Sequence, residues 1–480
     1  MKHFFPALGP GLALTALLVG GCGAPATAQS TTYNVGGTTV SLSSLTTGLD
    51  TPWELLWGPD DFLWLTERGG RISRINPATG QLLPLLTLPD VTETGESGLL
   101  GLAVGPAVHL APLPGELAVY VVYNYTSGGL KEKLVRYRYT PTIGLLSPQV
   151  LLDNLPAASI HSGSRLLLLP DNTLLMTTGD AANTSTAQNP TSLNGKVLRL
   201  TVTGTVPADN PTPGSLVYSL GHRNPQGLVR VAATGRLYSS EHGPNNDDEV
   251  NLIEPGRNYG WPTAQGFCNL PAEQTFCQQN NVREPLLAWT PTLAVAGLSY
   301  YNHPAIPGWS NSLLMVSLKA GKLTQLPLAA TGATITGQTD VWTGTYGRLR
   351  AICVSPQGRV YVATSNRDGR GSPTATDDRV LVLENRTFTA TRPNRILPAF
   401  ALYPNPASHA TSLHLPAPLT TAARLSVHDA LGRLVHEAPL VAGQQRAALP
   451  VAGWTAGVYQ VRVGGPTQSF APQRLVLAGR

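Results

Sequence analysis

The densest group of polar side chains in the sequence is GHRNPQG, at residues 221–227. It is followed by SEHGPNNDDE at residues 240–249 and by NYGWP at residues 258–262. Loops that bring His, Arg, Asn and Gln so close together are typical of binding sites. The carboxylates, amides and exposed carbonyls of the second segment are hard oxygen donors of the kind that calcium prefers. Taken alone, however, that acidic segment is better explained as a solvated turn.

The elements that must position these loops are short apolar runs separated by Pro, Asp and Gly. One pattern recurs six times at intervals of roughly 50 to 60 residues: a strand, a turn, a second strand and a further strand after a loop. Clear copies begin at Leu55, Leu166, Leu228 and Ala351, and looser copies at Gly101 and Gly308. Repeats of this size predict an all-β fold, a six-bladed β-propeller with ligand sites at the mouth of its channel. A large β-sandwich would explain the strands but not the repetition.

Composition and charge restrict the possible classes of protein. Charged residues make up 13% of the 480 residues, about half the usual share, while Gly (49) and Pro (41) are abundant. This composition favours a β-rich protein that works outside the cytoplasm. The net charge of +5 is not gathered into basic runs, which argues against nucleic acid as a partner.

The N-terminus predicts export. An apolar stretch at residues 8–19 follows Lys2 and His3 and predicts a signal peptide over residues 1–28. The stretch is too short for a membrane span. Cleavage after Ala28 competes with a lipobox-like sequence that would acylate Cys22 and anchor a lipoprotein.

The remaining cysteines do not form a disulfide framework. Cys268 and Cys277 could close a loop disulfide in an oxidising compartment. Cys353 lies in an apolar run and is predicted to be a buried core residue.

The C-terminal part differs in composition from the rest. We predict a propeller over residues 29–385, a linker over 386–398 and a small C-terminal β-sandwich over 399–480. Three signatures in order, YPNP at 403–406, GR at 432–433 and AGVY at 456–459, resemble the C-terminal sorting domain of the type IX secretion system. The resemblance implies secretion or cell-surface attachment, with the secretion machinery as partner. An ordinary adhesive sandwich is the alternative.

The ordered set of motifs in the predicted propeller resembles the soluble pyrroloquinoline quinone (PQQ)-dependent glucose and aldose dehydrogenases. The resemblance is carried by GHRNPQGL, SEHGPNNDDEVNLI and NYGWP, by LWGPDDFLWLTERGGRISRINP and GESGLLGLA upstream, and by LLMVSLKAGKL and RLRAICVSPQG downstream. It covers most of residues 48–385. It implies PQQ- and calcium-dependent oxidation of an aldose at the anomeric carbon, with hydride passing to PQQ and then to an external electron acceptor.

The resemblance also implies roles for individual residues. His161 would be the catalytic base, Asp180 the acid that orients it, and Arg223 a further catalytic residue. The residues implied to bind PQQ are Glu96, Arg223, Asn224, Gln226, Trp289, Lys319, Arg348 and Arg350. Those implied to serve calcium are Gly243 and Pro244, through backbone carbonyls at the catalytic ion, and Glu249 and Tyr259 at a second, structural ion.

These residue types suit that chemistry. PQQ is a planar tricarboxylate, so its pocket needs several fixed cations, for which Arg provides planar bidentate contacts and Lys a compact charge. Calcium at the quinone edge would polarise a carbonyl. An imidazole suits removal of a sugar hydroxyl proton near neutral pH, and a carboxylate behind it would fix its tautomer.

Three positions depart from the family pattern. Glu96 stands where glucose-oxidising members usually carry Gln, Ile160 precedes the base where they have an acid, and Ser164 replaces a Gly common in the aldose members. An extra carboxylate near the quinone could weaken cofactor binding or shift its potential. The long loop inserts of the glucose enzyme are also missing, which leaves glucose specificity and the family's dimer interface open.

Two hypotheses from other classes compete with the dehydrogenase. A calcium-dependent propeller hydrolase, such as a lactonase, could recruit Asn224, Asp180 and Glu96, but it would leave the predicted cluster of Arg and Lys residues without a purpose. A non-catalytic carbohydrate-binding propeller would bind sugar without affinity for PQQ.

Overall fold

The computed structural model describes residues 31–107, 116–388, 399–430, 432–465 and 470–478. The chain forms two compact units, the first ending at Phe388 and the second beginning at Thr389. The predicted signal peptide at residues 1–28, Cys22 and most of the predicted linker at 386–398 lie outside the described residues.

The first unit is built from antiparallel strands: an initial pair is followed along the chain by five groups of four strands and a last group of three. The initial pair is β1 (Thr31–Val35) and β2 (Thr38–Thr46). The first sheet comprises β3 (Pro52–Trp57), β4 (Leu63–Glu67), β5 (Arg71–Ile75) and β6 (Leu82–Thr87). The second comprises β7 (Leu99–Pro106), β8 (Leu117–Thr126), β9 (Leu130–Thr140) and β10 (Gly144–Pro156). The third comprises β11 (Gly163–Leu168), β12 (Thr173–Thr178), β13 (Lys196–Thr201) and β14 (Val217–Leu220).

Three more sheets complete this unit. The fourth comprises β15 (Pro225–Arg230), β16 (Leu237–Glu241), β17 (Asp248–Ile253) and β18 (Leu287–Trp289). The fifth comprises β19 (Val295–Tyr301), β20 (Ser312–Ser317), β21 (Lys322–Pro327) and β22 (Thr339–Thr343). The sixth contains β23 (Leu349–Val354), β24 (Val360–Thr364) and β25 (Val380–Glu384).

The six sheets close into a ring. The first strand of each sheet contacts the first strand of the next, and β23 of the sixth sheet contacts β3 of the first. The N-terminal strand β2 pairs with β25, so the two ends of the unit are joined in one sheet of order β1-β2-β25-β24-β23. This is the predicted six-bladed β-propeller, and the number of blades equals the number of sequence repeats.

Continuous apolar strands are explained by burial on both faces of each sheet. In β12, Leu174 and Met176 pack into a core shared with the second sheet, whereas Leu175 packs into a core shared with the fourth. Successive side chains of a strand point to opposite faces, so a blade between two neighbours needs apolar residues at every position. Each of the six interfaces between blades has such a core.

Helices are few and short in the described part of the chain. They are α1 (Ser185–Gln188), α2 (Pro271–Gln279) and a 3₁₀ turn at Pro307–Trp309. No helix among the described residues has the length and apolarity to span a bilayer. A disulfide links Cys268, which precedes α2, to Cys277 within α2, a pairing that the sequence left open. Cys353 is buried and free, as the sequence predicts.

The second unit consists of two antiparallel sheets that share one core. Its strands are β26 (Ala401–Tyr403), β27 (Thr411–His414), β28 (Ala423–His428), β29 (Leu434–Leu440), β30 (Arg446–Leu449), β31 (Gly457–Gly464) and β32 (Gln473–Leu477). The sheet orders are β26-β27-β30 and β29-β28-β31-β32. Along β31, Tyr459, Val461 and Val463 face inward, and the residues between them are exposed. This alternation is typical of a small β-sandwich.

Candidate functional site

A cavity of about 300 Å³ lies at one end of the propeller channel. Loops that precede or connect strands of all six sheets contribute to its lining. Its charged lining residues are Arg68, Arg223, Lys319, Arg348, Arg350 and Arg370, opposed by Glu96, Asp248 and Asp368. Six cations against three carboxylates make the cavity suited to a polyanionic ligand.

Most of the predicted site residues meet at this cavity. Those that line it are Glu96, His161, Arg223, Asn224, Gly243, Pro244, Lys319, Arg348 and Arg350. Asp180 and Gln226 lie directly behind it and bind lining residues. Residues separated by more than 250 positions in the sequence are thus brought together by the closed ring.

His161 and Asp180 form a dyad at the wall of the cavity. His161 Nδ1 lies 2.8 Å from Asp180 Oδ1, and the carboxylate is also held by the Ala182 amide at 2.8 Å and by the Trp261 indole N–H at 2.9 Å. Asp180 is fully buried, whereas 14% of the His161 side chain remains exposed. Because Nδ1 faces the carboxylate, Nε2 is the nitrogen available to accept a proton from a ligand.

The backbone next to the dyad explains the Gly in the motif TTGD. A Cβ at Gly179 would lie 1.8 Å from the His161 carbonyl oxygen. Only glycine therefore allows the end of β12 to approach the loop that carries His161. The resulting contacts include the Gly179 amide donating to the Ser162 carbonyl at 3.0 Å.

Two buried guanidinium groups retain unused donors. Arg350 donates from one terminal nitrogen to Gln226 Oε1 at 2.7 Å, and its Nε has no partner. Arg223 donates to the His242 carbonyl at 3.2 Å and lies over the Trp261 ring, and its Nε also lacks a partner. The Asn224 side-chain nitrogen is also buried without a hydrogen-bond partner. Buried donors without partners are costly, and a carboxylate-bearing ligand in the cavity would satisfy them.

Burial strengthens the case for an anionic ligand at Arg350. Desolvation lowers the pKa of Arg350 to about 9, even though Asp368 and Glu96 oppose this shift. Arg350 is therefore a buried cation that Asp368 and Glu96 compensate only in part. A planar tricarboxylate such as PQQ fits this donor set, with Lys319 and Arg348 completing the ring of cations.

The loop that carries Gly243 and Pro244 is held by Asp248. One carboxylate oxygen of Asp248 accepts from the Gly243 amide at 2.9 Å, and the other accepts from the Leu293 amide at 2.7 Å. A Cβ at Gly243 would lie 1.9 Å from the Asn246 carbonyl oxygen, so this turn requires glycine. Backbone carbonyls in such a tight turn are suitable calcium ligands.

Glu249 and Tyr259 line a smaller cavity on the other side of the same turn, together with Glu241 and Asp247. Burial and the nearby Glu241 charge raise the pKa of Glu249 to about 8. The Tyr259 hydroxyl donates to the Leu252 carbonyl at 2.6 Å. The group of Tyr259 that could bind an ion is therefore its backbone carbonyl and not its side chain. No group of three or more His, Cys, Asp or Glu side chains within the described residues is arranged to hold a metal by itself.

Trp289 is not among the residues that line the cavity. It lies in β18, the outermost strand of its sheet, and its indole N–H donates to Gln338 at 2.9 Å. Thr292 and Ala294, which follow it in the chain, line the cavity instead. β18 pairs Trp289 with Asp248, which lines the cavity, so the predicted contact between Trp289 and the cofactor stays a prediction.

Several residues at the site were not singled out from the sequence. They are Arg68, His242, Asp248, Trp261, Asp368 and Arg370. His242, Asp248 and Trp261 lie within the motifs at residues 240–249 and 258–262, so the sequence could have indicated that they belong to the site. Arg370 and Asp368 lie in the loop between β24 and β25, and only the closed ring brings that loop to the cavity.

Comparison with known proteins gives two family matches. The glucose/sorbosone dehydrogenase family matches residues 49–375, and the secretion system C-terminal sorting domain matches residues 401–477. The quinoprotein glucose dehydrogenase B of Acinetobacter calcoaceticus is 32% identical, with 66% of this chain and 83% of that protein covered. An aldose sugar dehydrogenase of Escherichia coli is 29% identical, with 69% and 91% covered.

Solved structures agree with these matches. The PQQ-bound aldose sugar dehydrogenase of Streptomyces coelicolor has a TM-score of 0.62 and 34% identity, and 72% of this chain and 98% of that chain are covered. A glucose dehydrogenase-like oxidoreductase of Thermus thermophilus has the same TM-score at 39% identity, with 72% and 99% covered. The sorting-domain match indicates export to or beyond the cell surface. The chain belongs to the glucose/sorbosone dehydrogenase family and is an oxidoreductase acting on sugar CH–OH groups.

Proposed function

We propose that this protein oxidises an aldose sugar at its anomeric carbon, using PQQ and calcium, with His161 as the general base. The observation that carries the proposal is the cation-lined cavity, in which buried donors of Arg350, Arg223 and Asn224 lack partners and which His161 of the His161–Asp180 dyad also lines. The PQQ bound in the Streptomyces coelicolor relative supports the choice of cofactor. Calcium is proposed from the donor chemistry of the turn at Gly243 and Pro244.

In this mechanism the chain's own residues position the sugar and move one proton. When bound, PQQ supplies a quinone that accepts hydride, and calcium supplies a Lewis acid beside it. His161 Nε2 removes the proton from the anomeric hydroxyl while the C–H hydrogen leaves as hydride. Asp180 keeps Nδ1 protonated and stabilises the imidazolium that forms. Arg223, which lines the same cavity as His161, would stabilise negative charge that develops on the sugar oxygen.

The activity test uses the full chain reconstituted with PQQ and calcium, with a panel of aldoses and an artificial dye as electron acceptor. We expect dye reduction that depends on the sugar, on PQQ and on calcium. If PQQ binds but no aldose reduces the dye, the proposal of sugar oxidation is wrong. Hydrolysis of a lactone by the protein with calcium alone would instead favour the hydrolase hypothesis.

We also propose that Glu249 and the Tyr259 carbonyl serve a second calcium ion. Without an ion, a carboxyl whose pKa is raised by burial destabilises the fold as pH rises from its unfolded value to about 8. Calcium beside the ionised carboxylate would reverse that effect. In wild type at pH 8, calcium should therefore raise the melting temperature by on the order of 5 °C relative to chelator.

The variant E249Q tests the second site by differential scanning fluorimetry. We expect most of the calcium-dependent rise to disappear, because the amide removes the charge that the ion would neutralise. In chelator at pH 8, E249Q should melt no lower than wild type. D209N, which alters an exposed carboxylate elsewhere on the propeller, serves as the control and should keep the full rise. An equal calcium effect in E249Q and D209N would refute the assignment of Glu249.

For the second unit, we propose delivery by the type IX secretion machinery, followed by release or surface attachment. The sorting-domain match supports this proposal. An external electron acceptor would then receive electrons outside the cytoplasm. Acylation at Cys22 would be an additional anchor.

A further inference from the structure

The loop between β24 and β25 contacts cavity residues from two other parts of the chain, Arg348 and Glu96. Asp368 Oδ2 accepts from Arg348 Nε at 2.7 Å, and Asp368 Oδ1 accepts from the Arg370 amide at 2.9 Å. The Arg370 guanidinium then pairs with Glu96 Oε1 at 3.0 Å. The sixth blade is thereby connected to the loop that precedes the second blade, across the mouth of the cavity.

Glu96 in turn supports the backbone of the proposed base. Its second carboxylate oxygen, Oε2, accepts from the His161 amide at 3.4 Å. His161 has a φ of 60°, a left-handed conformation that is strained for a residue other than glycine. The Glu96 amide also donates to the Ser159 carbonyl at 2.7 Å. The loop of Glu96 is thus hydrogen-bonded to the loop of His161 at the residue whose backbone is strained.

Glu96 carries a charge that an anionic cofactor should oppose. Burial disfavours its ionisation, but His242, Arg350 and Arg370 together lower the pKa of Glu96 below its usual range. The carboxylate is therefore ionised, and it faces the same cavity as Arg350. A carboxylate in this place repels the carboxylates of PQQ unless a cation neutralises it.

We propose that Arg370 is a positioning residue that neutralises Glu96 and, through it, holds the backbone of His161 in place. The inference rests on the proposed function for its effect on PQQ. It explains how an ionised carboxylate is accommodated in a cavity that we propose binds an anionic cofactor. Arg370 is 62% exposed in its side chain, so the pair contributes little to global stability. Its removal should alter the site without unfolding the protein.

The test is a double-mutant cycle with R370Q, E96Q and R370Q/E96Q in the full chain. PQQ affinity is measured by absorbance titration in the presence of calcium. R370Q should weaken PQQ binding about ten-fold when Glu96 is present, because a partly buried charge loses its partner. In the E96Q background the same substitution should change affinity less than about two-fold. R370K should recover part of the loss.

A second measurement does not depend on the cofactor. In the cofactor-free protein, R370Q should accelerate hydrogen exchange of the amides at residues 159–161 by about three-fold or more, because Glu96 is no longer anchored. The control is R386Q, which breaks an ion pair of comparable exposure between Arg386 and Glu384. Neither residue lines the cavity. R386Q should alter neither exchange in this segment nor PQQ affinity.

The possible results separate this inference from the proposed function. The role of Arg370 would be overturned if R370Q reduced PQQ affinity equally in the wild-type and E96Q backgrounds. Unchanged hydrogen exchange at residues 159–161 would overturn it as well. If wild type does not bind PQQ but R370Q accelerates exchange, the cofactor proposal fails and the positioning of His161 by Arg370 stands. A fall in the melting temperature of R370Q well beyond that of R386Q would also count against the inference.

Discussion

Replacing His161 with Gln should lower kcat for sugar oxidation roughly 10³-fold while PQQ affinity stays within about two-fold of wild type. The His161 side chain reaches the cavity with one ring nitrogen, and the other is bound to buried Asp180. Gln is similar in size and can still donate toward Asp180, but it cannot accept a proton at neutral pH. The loss should therefore fall on the proton-transfer step and not on cofactor binding.

Steady-state dye reduction gives kcat, and titration of PQQ gives affinity for each variant. D180N should show the same pattern, because an amide at this position can impose the wrong tautomer on the imidazole. H303Q, at a partly exposed histidine of the fifth blade, is the matched control and should behave as wild type. A variant H161Q that retains more than about a tenth of wild-type kcat would show that His161 is not the base.

Replacing Arg350 with Met should weaken PQQ binding by about 10²-fold or more. At the same time, the melting temperature of the cofactor-free protein should not fall. Arg350 is fully buried, its Nε has no partner, and burial lowers its pKa to about 9. A buried cation that nearby carboxylates compensate only in part costs stability in the cofactor-free protein and contributes affinity when an anion binds. Met approximates the length of the side chain without the charge.

The opposite directions of these two effects distinguish a ligand-binding cation from a structural one. R359M removes a half-exposed arginine that pairs with Glu384 at 2.9 Å and serves as the control. It should change neither PQQ affinity nor melting temperature appreciably. If R350M destabilised the cofactor-free protein by several kcal/mol, Arg350 would be a structural residue, and our explanation of its unpartnered Nε would be wrong.

The fold was predictable because each repeat is a pattern of strands and turns among residues that are close in the sequence. Strand, turn and strand recur six times, and a blade buried on both faces needs the uninterrupted apolar runs seen at Leu174–Met176. The closing of the ring by β2 was not visible in the sequence, because that pairing joins residues more than 330 positions apart. The local periodicity of a sequence does not indicate a pairing between strands so far apart.

The site was predictable where its residues stand in dense motifs. His161 and Asp180 were identified through the family resemblance and Arg223 and Asn224 through the polar segment at 221–227; three of them line one cavity, and Asp180 lies behind it. Trp289 does not itself line the cavity, because it lies in the outermost strand of its blade, next to Asp248, which does. Arg370 was missed because an isolated arginine in a Gly-rich loop carries no signal until the partner, Glu96, is placed opposite it.

The most direct test of a cofactor site is titration of the purified chain with PQQ, with and without calcium, followed through the cofactor's absorption spectrum. We expect a saturable spectral change at one PQQ per chain that requires calcium and that R350M largely abolishes. A spectrum that stays that of free PQQ at every protein concentration, or a change that R350M retains in full, would contradict the assignment of this cavity.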